Sequence, residues 1–348
     1  MVRVQLRRVA AFLLLAFSGV LYAADVPALD TRVIVPTTPA RLVRLTAHIR
    51  VTNSSSTDVS RFVFRVTAPP DLDSQRSVLV TSDLPPVVRK QHKNSANEYL
   101  EFQCAVPANQ EVLKGVTFSV LLMPVDYSRV KSIEGRSDSK SDDLLRYLTP
   151  SRYIESDSAE VKDAAAFVFQ RSRGEMSKAR AAYEFPSKVL KFKLQKEPLG
   201  ARQALERRTG DCTEFACLFV ALCRTQSIPA RKVGVFNLGD KSQLSVSQPN
   251  HDIAEVYLGS HGWIPVDPNL GRGRYDRPAG FGKLGNTAIV LNREGAWVWS
   301  TWLPPYGYDK SKPKPTVTYG IEWDAKVVKE GSARDLYREL VATKQSNE

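Results

Sequence analysis

The chain has 348 residues, of which 43% are hydrophobic and 25% charged, and its formal net charge is +12. This balance is typical of globular proteins, and the length is sufficient for two hydrophobic cores. The positive charge favours anionic surroundings such as cell-wall polymers, membrane surfaces or acidic peptides, although a role in solubility explains it equally well. No basic stripe interleaved with aromatic residues occurs, so a nucleic-acid partner is not expected.

The first 24 residues predict a secretory signal peptide. Three arginines precede the apolar stretch Val9–Phe17, and the small residues Ala23 and Ala24 follow it. The stretch is too short to span a bilayer comfortably, and no later segment is long and apolar enough to be transmembrane. We therefore expect a periplasmic or secreted protein, cleaved after Ala23, with a retained anchor as the alternative. Loss of the three leader arginines leaves a charge of +9.

The chain carries four cysteines, Cys104, Cys212, Cys217 and Cys223. They do not predict a disulfide framework in a chain of this length. Cys217 and Cys223 are expected to face different sides of one helix as small core residues. A bridge from Cys104 to either of them would require two domains to touch.

The N-terminal part of the mature chain, residues 25–130, predicts an antiparallel β-sandwich. Polar and apolar residues alternate in short runs separated by turn-forming clusters. The runs are residues 42–51, 62–66, 99–102 and 116–122. No residue in them indicates chemistry, so we expect this domain to serve as the surface for any protein partner.

A polar segment of mixed charge, residues 131–146, predicts an exposed linker. A helix is expected next, with Asp157 as its N-cap and Glu160 reaching back to it. Weaker helical patterns cover residues 183–192 and 201–208. We expect one catalytic domain to follow the linker and extend over residues 147–305, with residues 306–348 as a C-terminal extension.

Cys212 follows the residues Thr209-Gly210-Asp211 and opens an apolar run that ends at Cys223. This pattern predicts a buried helix that begins at Cys212. The N–H groups and the positive end of the dipole at a helix N-terminus favour a thiolate, which is the nucleophilic form of cysteine. A lone cysteine in such a position is more often structural, but the polar residues downstream favour a nucleophile.

A strand at 231–236 and a hairpin formed by residues 251–267 follow the cysteine helix, which predicts an α+β core. His251 begins the hairpin and Asp267 ends it, so both lie away from its turn. They are two or three positions from being directly opposite, so a bulge or a diagonal contact is required. The carboxylate would orient the imidazole, which takes the thiol proton and later returns it to a leaving group.

Other polar and aromatic residues near these positions predict structural roles. We expect His261 to be a solvated turn residue and Trp263 to contribute packing. Asp211 and Glu214 are expected to cap the cysteine helix. Substrate specificity is expected in the loops at 237–250 and 271–282.

The region from about Tyr147 to Asn269 resembles the transglutaminase-like superfamily, which shares its core with papain-like cysteine peptidases. The matching segments are Gly210–Cys212 with Glu214–Ala216, Ala221–Arg224, Ile228–Arg231, His251 with Ala254–Tyr257, and Gly262–Pro268. The resemblance implies a cysteine-bearing helix packed on an antiparallel sheet. It also implies a catalytic triad of Cys212, His251 and Asp267. The chain departs from the usual pattern at Ser227, where glycine is usual, and at Asp252-Ile253, where a small and an aromatic residue are usual.

The resemblance further implies that Cys212 attacks a carboxamide or peptide carbonyl and forms a thioester. Resolution by water gives hydrolysis, whereas resolution by an amine gives cross-linking, and both remain open. The leading hypothesis is an exported amidase or peptidase acting on peptide or protein substrates, including cell-wall peptides. A binding or assembly module with a vestigial triad is the alternative from another class. Calcium-dependent members of the family exist, but no acidic loop of cation-binding spacing occurs here, so we expect no metal and no cofactor.

Overall fold

The computed structural model of this chain describes residues 26–92, 97–131, 144–271, 280–293 and 300–347. The predicted signal peptide, most of the predicted linker and most of the predicted loop at 271–282 lie outside these ranges. Among the described residues, no helix has both the length and the apolar character that a membrane span requires.

The described residues form a mixed α+β fold with seventeen strands and five α-helices. The strands are β1 Ala40–Asn53, β2 Val59–Ala68, β3 Gln75–Ser82, β4 Val88–Gln91, β5 Glu98–Val106, β6 Gln110–Leu122, β7 Val125–Asp126, β8 Lys191–Phe192, β9 Thr209–Gly210, β10 Ala230–Asn237, β11 Gln243–Val246, β12 His251–Leu258, β13 Gly262–Val266, β14 Lys283–Leu284, β15 Ala288–Arg293, β16 Ser300–Gly307 and β17 Val317–Gly331. The helices are α1 Ala159–Val168, α2 Glu175–Val189, α3 Gly200–Arg207, α4 Cys212–Thr225 and α5 Ala333–Asn347.

Two sheets pack face to face as a β-sandwich, as the sequence predicts. One sheet has the order β11-β17-β1-β6-β3, and the other has the order β16-β2-β5-β4. The odd-numbered residues of β1 from Val43 to Val51 are buried, and they share one core with Phe64 and Phe102 of the second sheet. Burial at every second residue places one face of the strand against the core, which is the physical origin of the alternation in the sequence.

The sandwich also takes strands from the C-terminal part of the chain, which no local sequence pattern indicates. β17 pairs antiparallel with β1 from Ala40↔Gly331 to Asn53↔Val317, and β16 pairs with β2. The predicted extension therefore contributes a strand between β1 and β11. Pairing between strands so distant in sequence leaves no local pattern, so the boundaries drawn from the sequence remain a prediction.

In the second part of the fold, α4 packs against the sheet β13-β12-β10-β15. Every residue of α4 from Glu214 to Arg224 is buried. Ala254, Val256 and Leu258, at alternate positions of β12, lie in the same core as the apolar residues of α4. This is the predicted arrangement of a cysteine-bearing helix on an antiparallel sheet.

The N-terminus of α1 lies one residue beyond the predicted cap. Its N-cap is Ser158, whose hydroxyl accepts the N–H of Val161 at 3.3 Å. The prediction of Asp157 as the cap is therefore wrong. Serine and aspartate cap helices about equally well, so composition does not distinguish the two neighbouring positions.

The helix predicted over 183–192 also ends too late. α2 ends at Val189, and Lys191-Phe192 form β8, which pairs in parallel with β9. The N–H of Lys191 donates to Arg208 O at 2.9 Å, and the N–H of Lys193 donates to Gly210 O at 2.8 Å. These tertiary hydrogen bonds override the helical pattern and bring this segment beside the residues that precede Cys212.

Candidate active site

A capping box fixes the N-terminus of α4. Asp211 Oδ1 accepts the N–H of Thr213 at 3.0 Å, and Glu214 Oε2 accepts the N–H of Asp211 at 2.9 Å. The predicted capping role of both carboxylates is confirmed. Cys212 is thereby placed at the first helical position, where its own N–H has no intrahelical acceptor.

Glu214 is fully buried beneath this N-terminus. Its second oxygen, Oε1, accepts the N–H of Leu199 at 2.9 Å, so both carboxylate oxygens have donors. Burial raises the pKa of Glu214 and outweighs the backbone hydrogen bonds, which lower it. A Cβ at Gly210 would lie 2.3 Å from the Glu214 Cβ, so the glycine before Asp211 is a packing requirement.

His251 and Asp267 meet at the open end of the β12–β13 hairpin. Ala254 pairs with Val266, which places Asp267 diagonally across from His251. His251 Nε2 lies 2.8 Å from Asp267 Oδ2, and the two side chains are only 14% and 9% exposed. Asp267 Oδ1 accepts the N–H of Asn269 at 3.0 Å. The hairpin therefore uses the diagonal contact and not a bulge.

The backbone around Asp267 is held from a neighbouring segment and from α2. The N–H of Asp267 donates to Gly280 O at 2.7 Å, and the N–H of Gly280 donates to the Tyr183 hydroxyl at 3.2 Å. A Cβ at Gly280 would lie 2.3 Å from Asp267 O, so only glycine permits this approach. Neither contact could be predicted from the sequence, because local patterns do not indicate which loop or hydroxyl will meet this backbone.

Cys212 is half-buried and completes the cluster. Its thiol lies near His251, and because Asp267 occupies Nε2, Nδ1 is the ring nitrogen left to face the sulfur. Burial lowers the pKa of His251, but the hydrogen bond to Asp267, the nearby Cys212 and the charges of both raise it to about 10. The imidazolium is therefore favoured at neutral pH.

A further carboxylate, Asp252, lies next to this cluster. Its Oδ2 accepts the Thr213 hydroxyl at 2.8 Å and the Lys232 ammonium at 2.9 Å. Burial lowers the pKa of Lys232, but the charges of Asp252 and of two cysteines raise it above its ordinary value. One of these cysteines is Cys212, so the ammonium lies within electrostatic reach of the thiol. From the sequence, Asp252 could be identified only as a position where this chain departs from the family pattern.

Arg231 and Glu255 form a buried ion pair between β10 and β12. They are directly opposite in the ladder, and Arg231 Nη2 lies 2.6 Å from Glu255 Oε2. The guanidinium also lies 3.9 Å from the centre of the Trp263 ring and 5.1 Å from that of Tyr147. Packing is therefore an adequate account of Trp263, as predicted. Both charged residues lie in the matching segments of the sequence, but their pairing was not predicted.

His261 corrects the expectation of a solvated turn residue, because it is only 4% exposed. The N–H of His261 donates to Leu258 O at 2.9 Å, which closes the hairpin turn. Gly262 follows in the left-handed region with φ +74°. Its Nδ1 lies 2.6 Å from Ser260 Oγ, and its Nε2 lies 3.2 Å from Val130 O. Sequence patterning located the turn but could not show what covers it.

The other cysteines have different environments. None of the four, all of them within the described ranges, is in a disulfide bond. Cys217 and Cys223 are buried, and Cys104 is half-buried in β5. Burial raises the pKa of Cys223 and of Cys104. Within the described ranges, no group of three or more His, Cys, Asp or Glu side chains is placed to hold a metal ion.

Comparison with known proteins identifies the same region. The sequence profile of the transglutaminase-like superfamily matches residues 162–268. The crystal structure of a candidate cysteine protease from Cytophaga hutchinsonii has a TM-score of 0.50 and 19% identity, covering 81% of this chain and 91% of that one. At this identity the likeness shows the fold alone. The periplasmic domain of TgpA from Pseudomonas aeruginosa has a TM-score of 0.32 and 13% identity, covering 65% of this chain and 91% of that domain.

One curated relative was also found, an uncharacterised protein of Haemophilus influenzae. It is 35% identical over an alignment that covers 17% of this chain and 20% of that protein. The match thus spans a fifth of the relative's length and carries no information about its activity. The profile match covers both α4 and the β12–β13 hairpin, so the region that carries them is similar to transglutaminase-like domains.

Proposed function

We propose that this protein is an exported thiol enzyme that hydrolyses amide or peptide bonds through Cys212, His251 and Asp267. The contact that supports the proposal best is the 2.8 Å hydrogen bond between His251 Nε2 and Asp267 Oδ2, made beside a Cys212 thiol that helps to raise the pKa of the same imidazole. A nucleophile, a base and a residue that orients the base thus lie close together, which is the arrangement required for covalent acyl transfer.

The first half of the reaction would acylate Cys212. The thiolate attacks the carbonyl carbon, and the tetrahedral intermediate places its oxygen near the N–H of Cys212, which has no acceptor within the helix. The His251 imidazolium then gives its proton to the leaving nitrogen as the C–N bond breaks. The products are a free amine or ammonia and a thioester on Cys212, with His251 now neutral.

The second half would release the acyl group. Neutral His251 takes a proton from water, the resulting hydroxide attacks the thioester carbonyl, and the C–S bond breaks to give a carboxylic acid and the Cys212 thiolate. Asp267 stays ionised throughout and holds the imidazole in the tautomer that presents Nδ1 to the sulfur. If an amine replaces water, the same steps produce a new amide, which is the cross-linking reaction.

Alkylation of the protein without its predicted signal peptide tests the nucleophile directly. Iodoacetamide is applied between pH 5 and pH 10, each cysteine is quantified by peptide mapping, and half-buried Cys104 serves as an internal reference. We expect rapid labelling of Cys212 below pH 7 that collapses in His251→Ala. Labelling that rises only near pH 8.5, about the pKa of an ordinary thiol, would overturn the proposal and favour a binding module.

Turnover distinguishes the two chemical outcomes. Glutamine-bearing peptides and unfolded casein are incubated with and without a fluorescent primary amine, and fragments, ammonia and amine adducts are measured. A hydrolase releases fragments or ammonia and incorporates no amine, whereas an acyl transferase incorporates the amine. Cys212→Ala should remove both activities without lowering the thermal unfolding midpoint, and activity retained in that variant would contradict the proposal.

A further inference from the structure

We propose that Asp252 is a positioning residue that fixes Cys212 relative to His251 by holding the start of α4 against the start of β12. This inference rests on the proposed function, because it assigns a role in presenting the same nucleophile. It concerns a residue at which this chain departs from the usual pattern of the family.

The hydrogen bond between Thr213 and Asp252 joins residues adjacent to the proposed catalytic pair. Thr213 directly follows Cys212, and Asp252 directly follows His251, so their 2.8 Å hydrogen bond joins the two neighbours of the proposed catalytic pair. The capping box connects Asp211 and Glu214 within the helix N-terminus, and it does not involve β12. The Thr213–Asp252 bond is therefore a direct side-chain connection between the two elements whose separation determines the thiol–imidazole distance.

Burial and charge make this connection stiff. The Asp252 and Lys232 side chains are 15% and 30% exposed, so the carboxylate is largely removed from water. The same oxygen, Oδ2, accepts from both the Thr213 hydroxyl and the Lys232 ammonium, which holds the carboxylate in one rotamer. A hydrogen bond to a partly buried charged group is stronger than one between neutral groups.

The charges around Asp252 favour the same arrangement. Lys232 approaches from β10, Cys212 and Cys217 from α4, and His251 is the preceding residue of β12. The Lys232 ammonium lies 2.9 Å from the Asp252 carboxylate, within electrostatic reach of Cys212. Opposite charges at this distance stabilise each other. Asp252 thus keeps the Lys232 ammonium in place while anchoring the helix start.

Substitution of Thr213 tests the connection with little change in shape. Thr213→Val removes the hydroxyl but keeps the side-chain volume, and Thr213→Ser restores the hydroxyl. We expect Cys212 alkylation at pH 6 to slow about tenfold in Thr213→Val, the effect of losing one hydrogen bond to a charged group, and to recover in Thr213→Ser. Near pH 10, where an ordinary thiol with a pKa of about 8.5 is ionised without help, the rates should converge.

The matched control is an ion pair of similar exposure in the β-sandwich. Arg65 and Glu101 are 24% and 19% exposed, with Nε and Oε2 3.0 Å apart. Glu101→Gln should lower the thermal unfolding midpoint as much as Asp252→Ala does, but should leave Cys212 labelling unchanged. In the double variant Thr213→Val/Asp252→Ala, labelling should be no slower than in Asp252→Ala alone, because both changes remove one connection.

The outcomes separate this inference from the proposed function. Rapid labelling of the wild type at pH 6, with tenfold loss in Thr213→Val and recovery in Thr213→Ser, supports the positioning role. Equal rates in the wild type and in Thr213→Val overturn the positioning role and leave the nucleophile intact. Slow labelling of the wild type at pH 6 overturns both. Should Asp252→Ala fail to fold, the Thr213 pair of variants decides the matter.

Discussion

The two ends of the β12–β13 hairpin each hold a histidine that is shielded from water. At the open end, His251 hydrogen-bonds to Asp267 and lies near the Cys212 thiol. At the turn, His261 contacts the Ser260 hydroxyl and the Val130 carbonyl. His261 is the more deeply buried residue, with 4% exposure.

Burial alone therefore does not distinguish a histidine suited to catalysis from a structural one. Both rings have hydrogen-bond partners, but only His251 has a carboxylate among them. A carboxylate beside an imidazole favours the imidazolium, whereas a hydroxyl and a carbonyl bring no net charge to the ring. The difference between the two ends is one of charge, and it can be tested by changing the partners.

The largest effect is expected from Asp267→Asn. The amide keeps the shape of the carboxylate but carries no charge, and its NH₂ group would present a donor to Nε2 and favour the wrong tautomer. We expect kcat to fall about 10⁴-fold, as for the loss of the orienting carboxylate in a comparable triad. Initial rates of fragment or ammonia release at saturating substrate measure this loss.

The chain contains a matched control for that change. His48 and Asp324 form an exposed histidine–carboxylate pair, with His48 Nε2 3.1 Å from Asp324 Oδ2, on the paired strands β1 and β17. Asp324→Asn should leave kcat and Cys212 labelling within about twofold, since isolated exposed pairs contribute little. A comparable loss in both variants would mean that Asp267 acts only through the stability of the fold.

The stability of the fold should depend on pH through His251. The pKa of His251 is raised from 6.5 to about 10 on folding, so its protonated form stabilises the native state. That contribution is complete below about pH 6.5 and is lost as the pH rises through about 10. Urea unfolding at several pH values should therefore show a stability difference between the wild type and His251→Gln that is constant near pH 6 and shrinks toward pH 10. A difference that is independent of pH would contradict the charged pair.

The periodic parts of this molecule could be read from the sequence. Alternation in β1 and the apolar run of α4 each reflect one face or one whole element that must be buried, and burial imposes the period directly. The position of Cys212 at the start of a helix could also be predicted, because the N-cap and the first helical residue are local sequence features. The hairpin then placed His251 and Asp267 at one end, since register follows from the turn.

The contacts that complete the site could not be read in this way. Asp252 hydrogen-bonds to Thr213, 39 residues earlier in the sequence, and to Lys232, 20 residues earlier. An alternation pattern does not indicate which polar side chains contact one another. The same limit applies to Gly280, which supports Asp267 through the backbone. The pairing of β17 with β1 joins the two ends of the described chain, so it depends on the whole topology and not on any local segment.

The prediction that His261 is solvated was wrong for a related reason. The smallest of the expected effects concerns this residue. A turn at the end of a hairpin is usually exposed, but here the Val130 carbonyl oxygen lies 3.2 Å from His261 Nε2 and accepts its N–H. His261→Ala should therefore lower the free energy of unfolding by about 1–3 kcal/mol, the cost of leaving buried polar groups without partners. Cys212 labelling should stay within about twofold of the wild type at every pH, whereas His251→Gln should slow labelling at pH 6 and lose its stability deficit near pH 10. Slowed labelling in His261→Ala, measured on protein confirmed to be folded, would mean that the turn communicates with the open end and that charge alone does not separate the two histidines.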